Sequence, residues 1–195
     1  MGVEEKETLI LLNKTEINGR WLNLAAGDGR FNLQLLKKTD IVVASDIDES
    51  ALSKLWFITP EEYKSKLQTA AFNITQKFPF EDKSFDGVFC TGTLHMFPKE
   101  IVHNIFSEMN RILKSHGKIF IDFATDIKRI LPDGKLYIRK YPQYKLKEAE
   151  ELLKESLKDY QIEFYESAVS EEKIKEKDFY YMFSCNFVLA VAVKK

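Results

Sequence analysis

The chain has 195 residues, 45% hydrophobic and 30% charged, with a formal net charge of -1 at pH 7. That length suits one domain with a sizeable core, and the balanced charge argues against any general attraction to nucleic acid or anionic membrane. Cys90 and Cys185 both sit in apolar runs, which suits buried thiols in a reducing compartment rather than a disulfide framework. No apolar run reaches transmembrane length, and residues 1–12 lack a cationic start followed by an apolar core, so a cytoplasmic location without a membrane partner is expected.

In chain order, residues 4–12 have the pattern of a short helix, closed by the Asn18-Gly19 turn. Residues 21–24 are a short apolar strand. The chain then breaks into small residues and two glycines, Gly27 and Gly29. From about residue 30 to 38 the spacing of Phe31, Leu33, Leu35 and Leu36 predicts a helix. Residues 41–44 form a continuous apolar run, the mark of a strand covered on both faces, and it ends at Ser45-Asp46-Ile47-Asp48. A helix is expected from Asp48 or Glu49, interrupted by Pro60 and resumed over 61–67. Residues 69–72 are a strand ending at Asn73-Ile74, and residues 85–90 are a strand ending at Thr91-Gly92-Thr93-Leu94-His95.

Pro98 suits a helix start, and Ile101, Ile105, Phe106, Met109, Ile112 and Leu113 mark that helix's buried face, with Gly117 as its end. Residues 118–123 are the fifth strand. Residues 124–145 carry turn signals at Pro132-Asp133-Gly134 and Pro142. A helix over 146–157, a strand over 161–165, a solvated charge run over 171–178 and a long strand over 179–193 complete the chain. Strands alternating with helices imply a doubly wound α/β fold. The last two strands are too close for a crossover helix, so the C-terminal strand is expected to be antiparallel in a mostly parallel, seven-stranded, Rossmann-like sheet. One domain over 1–195 is expected, with a short N-terminal helix within 1–19 and a substrate lid within 124–147.

In open α/β sheets, ligands bind outside the carboxyl ends of the strands. Four of those ends carry residues suited to one extended ligand. The first offers Asn23 and the loop Ala25, Gly27, Asp28, Gly29. The second offers Asp46 with Ile47 beside it. Asp46 lies 19 positions after Gly27, a spacing that suits an acid receiving the hydroxyls of a ribose. The third offers the Asn73 amide for an adenine edge and Ile74 for its face. The fourth offers residues 91–95, with Thr91 and Leu94 toward the cofactor and His95 as the candidate general base or substrate contact.

These residues resemble the class I S-adenosylmethionine (SAM) dependent methyltransferases. Residues 22–29 look like that family's first motif, Asp46 like its ribose acid, and Asn73-Ile74 like its adenine pair. Residues 78–88, Phe-Pro-Phe-Glu-Asp-Lys-Ser-Phe-Asp-Gly-Val, are the most specific match. They are similar to the segment leading into the fourth strand of small-molecule methyltransferases of the quinone-biosynthesis type, and Leu94-His95 and residues 111–118 continue the likeness. The resemblance covers residues 21–123. It implies SAM as cofactor, a small-molecule methyl acceptor and in-line transfer of a methyl group. Asn23, Ala25 and Asn73 stand where the family commonly has Asp or Glu, Gly and Asp. Asn keeps an acceptor oxygen, and Ala25 is easy at negative φ and strained at positive φ.

Other readings remain open at this point. A nicotinamide-dependent oxidoreductase would want glycine at position 32, which is Asn32. A non-catalytic SAM-binding subunit, and a protein or RNA methyltransferase, also fit the fold. No metal-ligand cluster stands out. Residues 128–147 hold seven basic side chains (Lys128, Arg129, Lys135, Arg139, Lys140, Lys145, Lys147) against the single acid Asp133, with Tyr137, Tyr141 and Tyr144 interleaved. The bland reading is a solvated loop. The sharper one is a lid that recruits an anionic or aromatic acceptor.

Overall fold

The computed structural model describes residues 3–168 and 172–195. Helix α1 (Val3–Lys14) leads into strand β1 (Arg20–Asn23), helix α2 (Asn32–Lys38) and strand β2 (Ile41–Asp46). Then come α3 (Glu49–Ile58), the short α4 (Glu61–Lys64), β3 (Leu67–Ala71), β4 (Phe85–Cys90) and α5 (Lys99–Ile112). The chain ends with β5 (Leu113–Ile130), α6 (Leu146–Ser156), β6 (Tyr160–Ala168), β7 (Glu172–Lys175) and β8 (Tyr180–Lys194). No helix among the described residues is long and apolar enough to cross a membrane.

The strands form one sheet of order β3-β2-β1-β4-β5-β8-β6, with β7 added against β8. Strands β1 to β5 pair in parallel. Strand β8 runs antiparallel to both β5 and β6. The doubly wound reading therefore holds, and so does the reversed C-terminal strand. Apolar side chains leave the strands alternately to the two faces, as the two-residue period requires. Leu22, Val43, Val88, Ile119 and Ile121 pack with Val102, Ile105, Met109, Leu152 and Leu153 of α5 and α6. Trp21, Val42, Ala44, Phe89 and Phe120 pack with Leu12, Leu35, Leu36, Leu52 and Leu55 of α1, α2 and α3.

Local chemistry sets several boundaries. Asp48 caps α3, accepting from the backbone N–H groups of Ser50 at 2.8 Å and Ala51 at 3.4 Å. Gly87 stands opposite Trp21 in the sheet, and a Cβ there would lie 2.2 Å from the indole ring. Only a residue without a side chain lets Trp21 cover the strand. Arg111 organises the most family-like segment. Its guanidinium donates to Glu108 at 2.6 Å, to Asp82 at 2.7 Å and to the carbonyls of Phe78 and Phe80 at 3.0 and 2.8 Å. Glu108 in turn accepts from the Phe78 N–H. That lattice holds residues 78–82 against α5, so this segment serves architecture. Hydrogen bonding to Arg111 keeps the Glu108 carboxyl below its ordinary pKa.

The structure corrects four expectations. Helix after Pro60 stops at Lys64, because residues 67–71 are drawn into pairing with β2. Helix α5 ends at Ile112, not Gly117, and the chain turns at once into β5, where Leu113 pairs with Phe85. Strand β5 continues seven residues past Phe123 to Ile130, held by β8. Part of the expected charge run is strand β7, an eighth strand beyond the seven expected; Glu171 of that run lies outside the described residues.

Candidate functional site: a cleft at the sheet's switch point

The strand order reverses between β1 and β4, and in a doubly wound sheet that gap is where a crevice forms. A cleft of about 200 Å³ lies there, lined by Asn23, Ala25 to Asp28, Arg30, Phe31 and Thr91 to Thr93. Its floor is the loop after β1. Ala26 donates its N–H to the Ser45 carbonyl at 2.7 Å, and Gly29 donates to the Ala26 carbonyl at 2.9 Å. Three alternate residues of this loop take positive φ: Ala25 at 54°, Gly27 at 53° and Gly29 at 88°. The two glycines adopt it freely. At Gly29 a Cβ would also lie 2.8 Å from the Leu55 side chain. Ala25 adopts it as a non-glycine, at a cost. Outward of Gly27 there is open space, so a ligand can lie directly on the backbone.

Asp46 ties two strand ends together. Its carboxylate accepts from the Gly27 N–H at 2.9 Å and from the Asp48 N–H at 3.0 Å. Each oxygen has a further lone pair, and the side chain is only half-buried. Ile47, beside it, is 69% exposed, an apolar surface with no protein partner demanded by burial. Asn23 is buried and donates its amide to Asn32 Oδ1 at 3.2 Å. Position 32, where a dinucleotide loop would carry its third glycine, is thus a buried partner for the first strand end.

Of the remaining expected residues, Asn73, Ile74, Leu94 and His95 are not part of the cleft lining. Asn73 turns its amide oxygen back on its own chain, accepting from the Thr75 N–H and hydroxyl at 3.0 and 2.9 Å. Ile74 and Leu94 are buried in the core. Thr91 lines the cleft. Gly92 and Thr93, of the strand end over residues 91–95, line it too, as do Arg30 and Phe31, for which no ligand contact was expected. Asp122 was missed as well. It is buried midway along β5 and accepts from the Gly92 N–H at 2.6 Å, pinning the second wall of the cleft. An isolated acid within the apolar run of residues 119–123 was the available signal.

Beyond that wall lies a second group. His95 sits in the single 3-10 turn Leu94–Met96 after β4. Its ring meets Tyr141 at 5.9 Å and Phe123 at 6.4 Å between centroids. Arg129, on the extended part of β5, is 7% exposed and donates Nη2–H to the Tyr141 hydroxyl. Burial first, and the Arg129 charge second, push the His95 pKa down to about 4, so its imidazole is neutral at physiological pH. Tyr144 closes this side, its hydroxyl donating to the Phe97 carbonyl at 2.9 Å and its ring 4.9 Å from Phe123. Of the seven basic residues of this segment, four are spoken for. Lys135 pairs with Asp133, Arg139 with Glu176, Lys145 with Asp126 and Lys147 with Glu151.

A parallel sheet with a glycine cleft at its switch point and a carboxylate anchoring that loop defines a class I cofactor-binding α/β protein. Residues 22–121 match the model of the methyltransferase domain family, and the chain belongs to that family, the class I SAM-dependent methyltransferases. SAM is the cofactor that goes with this membership. Among sequence relatives it is similar to phosphoethanolamine N-methyltransferase 1 of Triticum aestivum, 30% identical over 118 residues. That match covers 60% of this chain and 24% of the wheat enzyme. Among solved structures it is similar to YcgJ of Bacillus subtilis, with a TM-score of 0.72, 12% identity and 97% and 98% of the two chains covered. It is also similar to DhpI in complex with SAH, with a TM-score of 0.66, 17% identity and 98% and 84% covered. Both likenesses are of fold.

Proposed function

We propose that this protein transfers a methyl group from SAM to a small-molecule acceptor that carries anionic or aromatic character. The observation that carries the reading is the cleft between the β1 and β4 loops, with Asp46 bound to the Gly27 N–H beneath it. In this reading Asn23, Gly27, Asp28 and Arg30 receive the amino-acid end of the cofactor. Asp46 receives the ribose hydroxyls through its remaining lone pairs, and the exposed Ile47 packs on the adenine. Ile74 and Leu94, in the core, support the adenine side from behind rather than from the cleft wall, and Asn73 shapes the turn beside them through Thr75. Bound SAM supplies an electrophilic methyl on a cationic sulfur.

The protein's task is then alignment and dryness rather than charge stabilisation, since the leaving sulfide is neutral. Thr91 to Thr93 form the wall past which the acceptor meets the methyl, and Asp122 fixes that wall through Gly92. In this reading His95, two residues beyond the cleft-lining Thr93 and neutral at pH 7, serves as a substrate contact, since the burial that holds its pKa near 4 makes it a weak base. Of the span expected as a lid, residues 124–130 are strand β5 and 146–147 open α6, so in this reading residues 131–145, with Tyr141 and Tyr144 turned inward, cover the acceptor. The wheat relative's name concerns phosphoethanolamine, a small anionic acceptor, which supports the small-molecule class over a protein or RNA acceptor.

Titration calorimetry with SAM tests the reading. Binding is expected in the wild type, and Asp46→Ala is expected to weaken it about tenfold, or about 1.4 kcal/mol. Absence of SAM binding in the wild type overturns the reading. Binding without methyl transfer to any acceptor would favour a non-catalytic subunit.

A further inference from the structure

We infer that Arg129 is an anion-binding residue, and that the molecule received beside His95 carries a compact oxyanion, a carboxylate or a phosphate. This rests on the methyltransferase reading for its setting, and on the surroundings of Arg129 for its content. Arg129 is buried to 7% exposure. Its partners among the described residues are all neutral. Nη2 donates to the Tyr141 hydroxyl, and the guanidinium lies 5.5 Å from the Tyr141 ring centroid and 5.4 Å from that of Phe183. None of the ion pairs among the described residues includes it. Its neighbours Lys135, Arg139 and Lys145 are each paired with an acid. The one cation of the segment that is deeply buried is therefore held by rings and a phenol. A buried charge is ordinarily matched by an opposite one.

The pattern of used and unused donors sharpens the point. Arg129 Nε is buried and without a hydrogen-bond partner among the described residues, while Nη2 is taken by a neutral hydroxyl. Nε–H and Nη2–H lie side by side on one edge of the guanidinium. That edge is the fork that two oxygens of a carboxylate or phosphate fill with parallel hydrogen bonds. A hydroxyl occupies half of such a fork. Tyr141 thus stands where one ligand oxygen would stand and shields the free donor from water.

The place is right for a substrate group. Tyr141 bridges Arg129 and His95, whose ring centroid lies 5.9 Å from its own. His95 follows two residues after Thr93, which lines the cleft. Arg129 itself is fixed by backbone: it pairs with Phe183 across β5 and β8, and its carbonyl accepts from the Tyr141-side segment through the Tyr137 N–H at 2.8 Å. So the Arg129 backbone is fixed in the sheet with its guanidinium against the Tyr141 and Phe183 rings, and Tyr141, outside any helix or strand, is the part that yields. Arg139 does not share the role, because Glu176 holds it at 2.8 Å.

The test titrates inorganic phosphate and, separately, benzoate into the full chain, with and without saturating S-adenosylhomocysteine. Wild type, Arg129→Met, Tyr141→Phe and Lys140→Met are compared. At least one anion is expected to bind the wild type and to shift the His95 ring resonance. Arg129→Met is expected to weaken that binding at least about tenfold. Tyr141→Phe, which frees the fork, should keep or strengthen it, and Lys140→Met should leave it unchanged. Phosphate binding alone points to a phosphate monoester, benzoate alone to an aromatic acid, and both to a general oxyanion; each supports the inference. Should Arg129→Met not fold, Arg129→Lys, which keeps the charge and loses the fork, takes its place with the same expected loss. Equal binding by wild type and variant, or no binding of either anion, overturns the inference. S-adenosylhomocysteine affinity in the same samples reads the cofactor site separately, so failure of one reading does not disguise failure of the other.

Discussion

The sheet has two halves built on different principles. Around β1, β2 and β4 the polar residues sit at strand ends or in the short loops that follow them, and their contacts are mostly to backbone. Gly27 N–H to Asp46 and Gly92 N–H to Asp122 are of this kind. Around β5 and β8 the polar residues are side chains that meet one another: His95, Arg129 and Tyr141 come from three separate segments. The first half presents backbone and a few small residues, which suits a ligand common to a whole family. The second presents a particular arrangement of side chains, which suits a ligand peculiar to one protein.

The sharpest way to break this contrast is at Arg111, in the half whose sequence is most family-like. Arg111→Met removes the donors to Glu108, Asp82 and the carbonyls of Phe78 and Phe80. Denaturant unfolding should show a loss of about 3 kcal/mol, while SAM affinity of the folded variant stays within about twofold. A large loss of affinity at unchanged stability would mean that the segment contacts ligand after all.

The other half should reveal itself through acid. Folded His95 titrates near pH 4 against an ordinary 6.5. Between those values the unfolded chain holds the extra proton, so stability is full above about pH 6.5 and is lost as the pH falls toward 4. The loss from this group is about 2–3 kcal/mol at the low end. His95→Gln should flatten that part of the stability profile. An unchanged profile would place the titration elsewhere.

The smallest expected effect returns to the glycine loop. Ala25 holds a φ of 54° that glycine adopts without strain. Ala25→Gly should raise stability by about 0.5–1 kcal/mol in thermal or denaturant unfolding. A loss instead would show that the Ala25 methyl is held by packing against the core residues beside it.

Legibility followed the same division. Apolar runs, the Asp48 cap and the Gly27–Asp46 spacing placed β1 to β5 and the cleft floor, because each depends on neighbours within about twenty residues. The errors share one cause. Residues 67–68, 113–117 and 124–130 lack the pattern of free-standing strands, yet each is strand because a partner strand lies beside it. Strand β7, hidden in a run of charges, likewise exists through its pairing with β8. Among site residues, the amide of Asn73 was drawn to its own Thr75, a local competition that its sequence position did not disclose.

By itself the sequence determined the doubly wound order and the reversed last strand, because hydrophobic period is a local property, while the family entered through the resemblance of residues 21–123. It also singled out the basic, tyrosine-rich segment without ranking its charges. Only the tertiary structure ranked them. It buried Arg129 between Tyr141 and Phe183, gave Arg139 to Glu176 and carried His95 to the same spot. Burial and charge pairing are set by what lies across the sheet, and residues 129 and 183 are brought together by strand register alone.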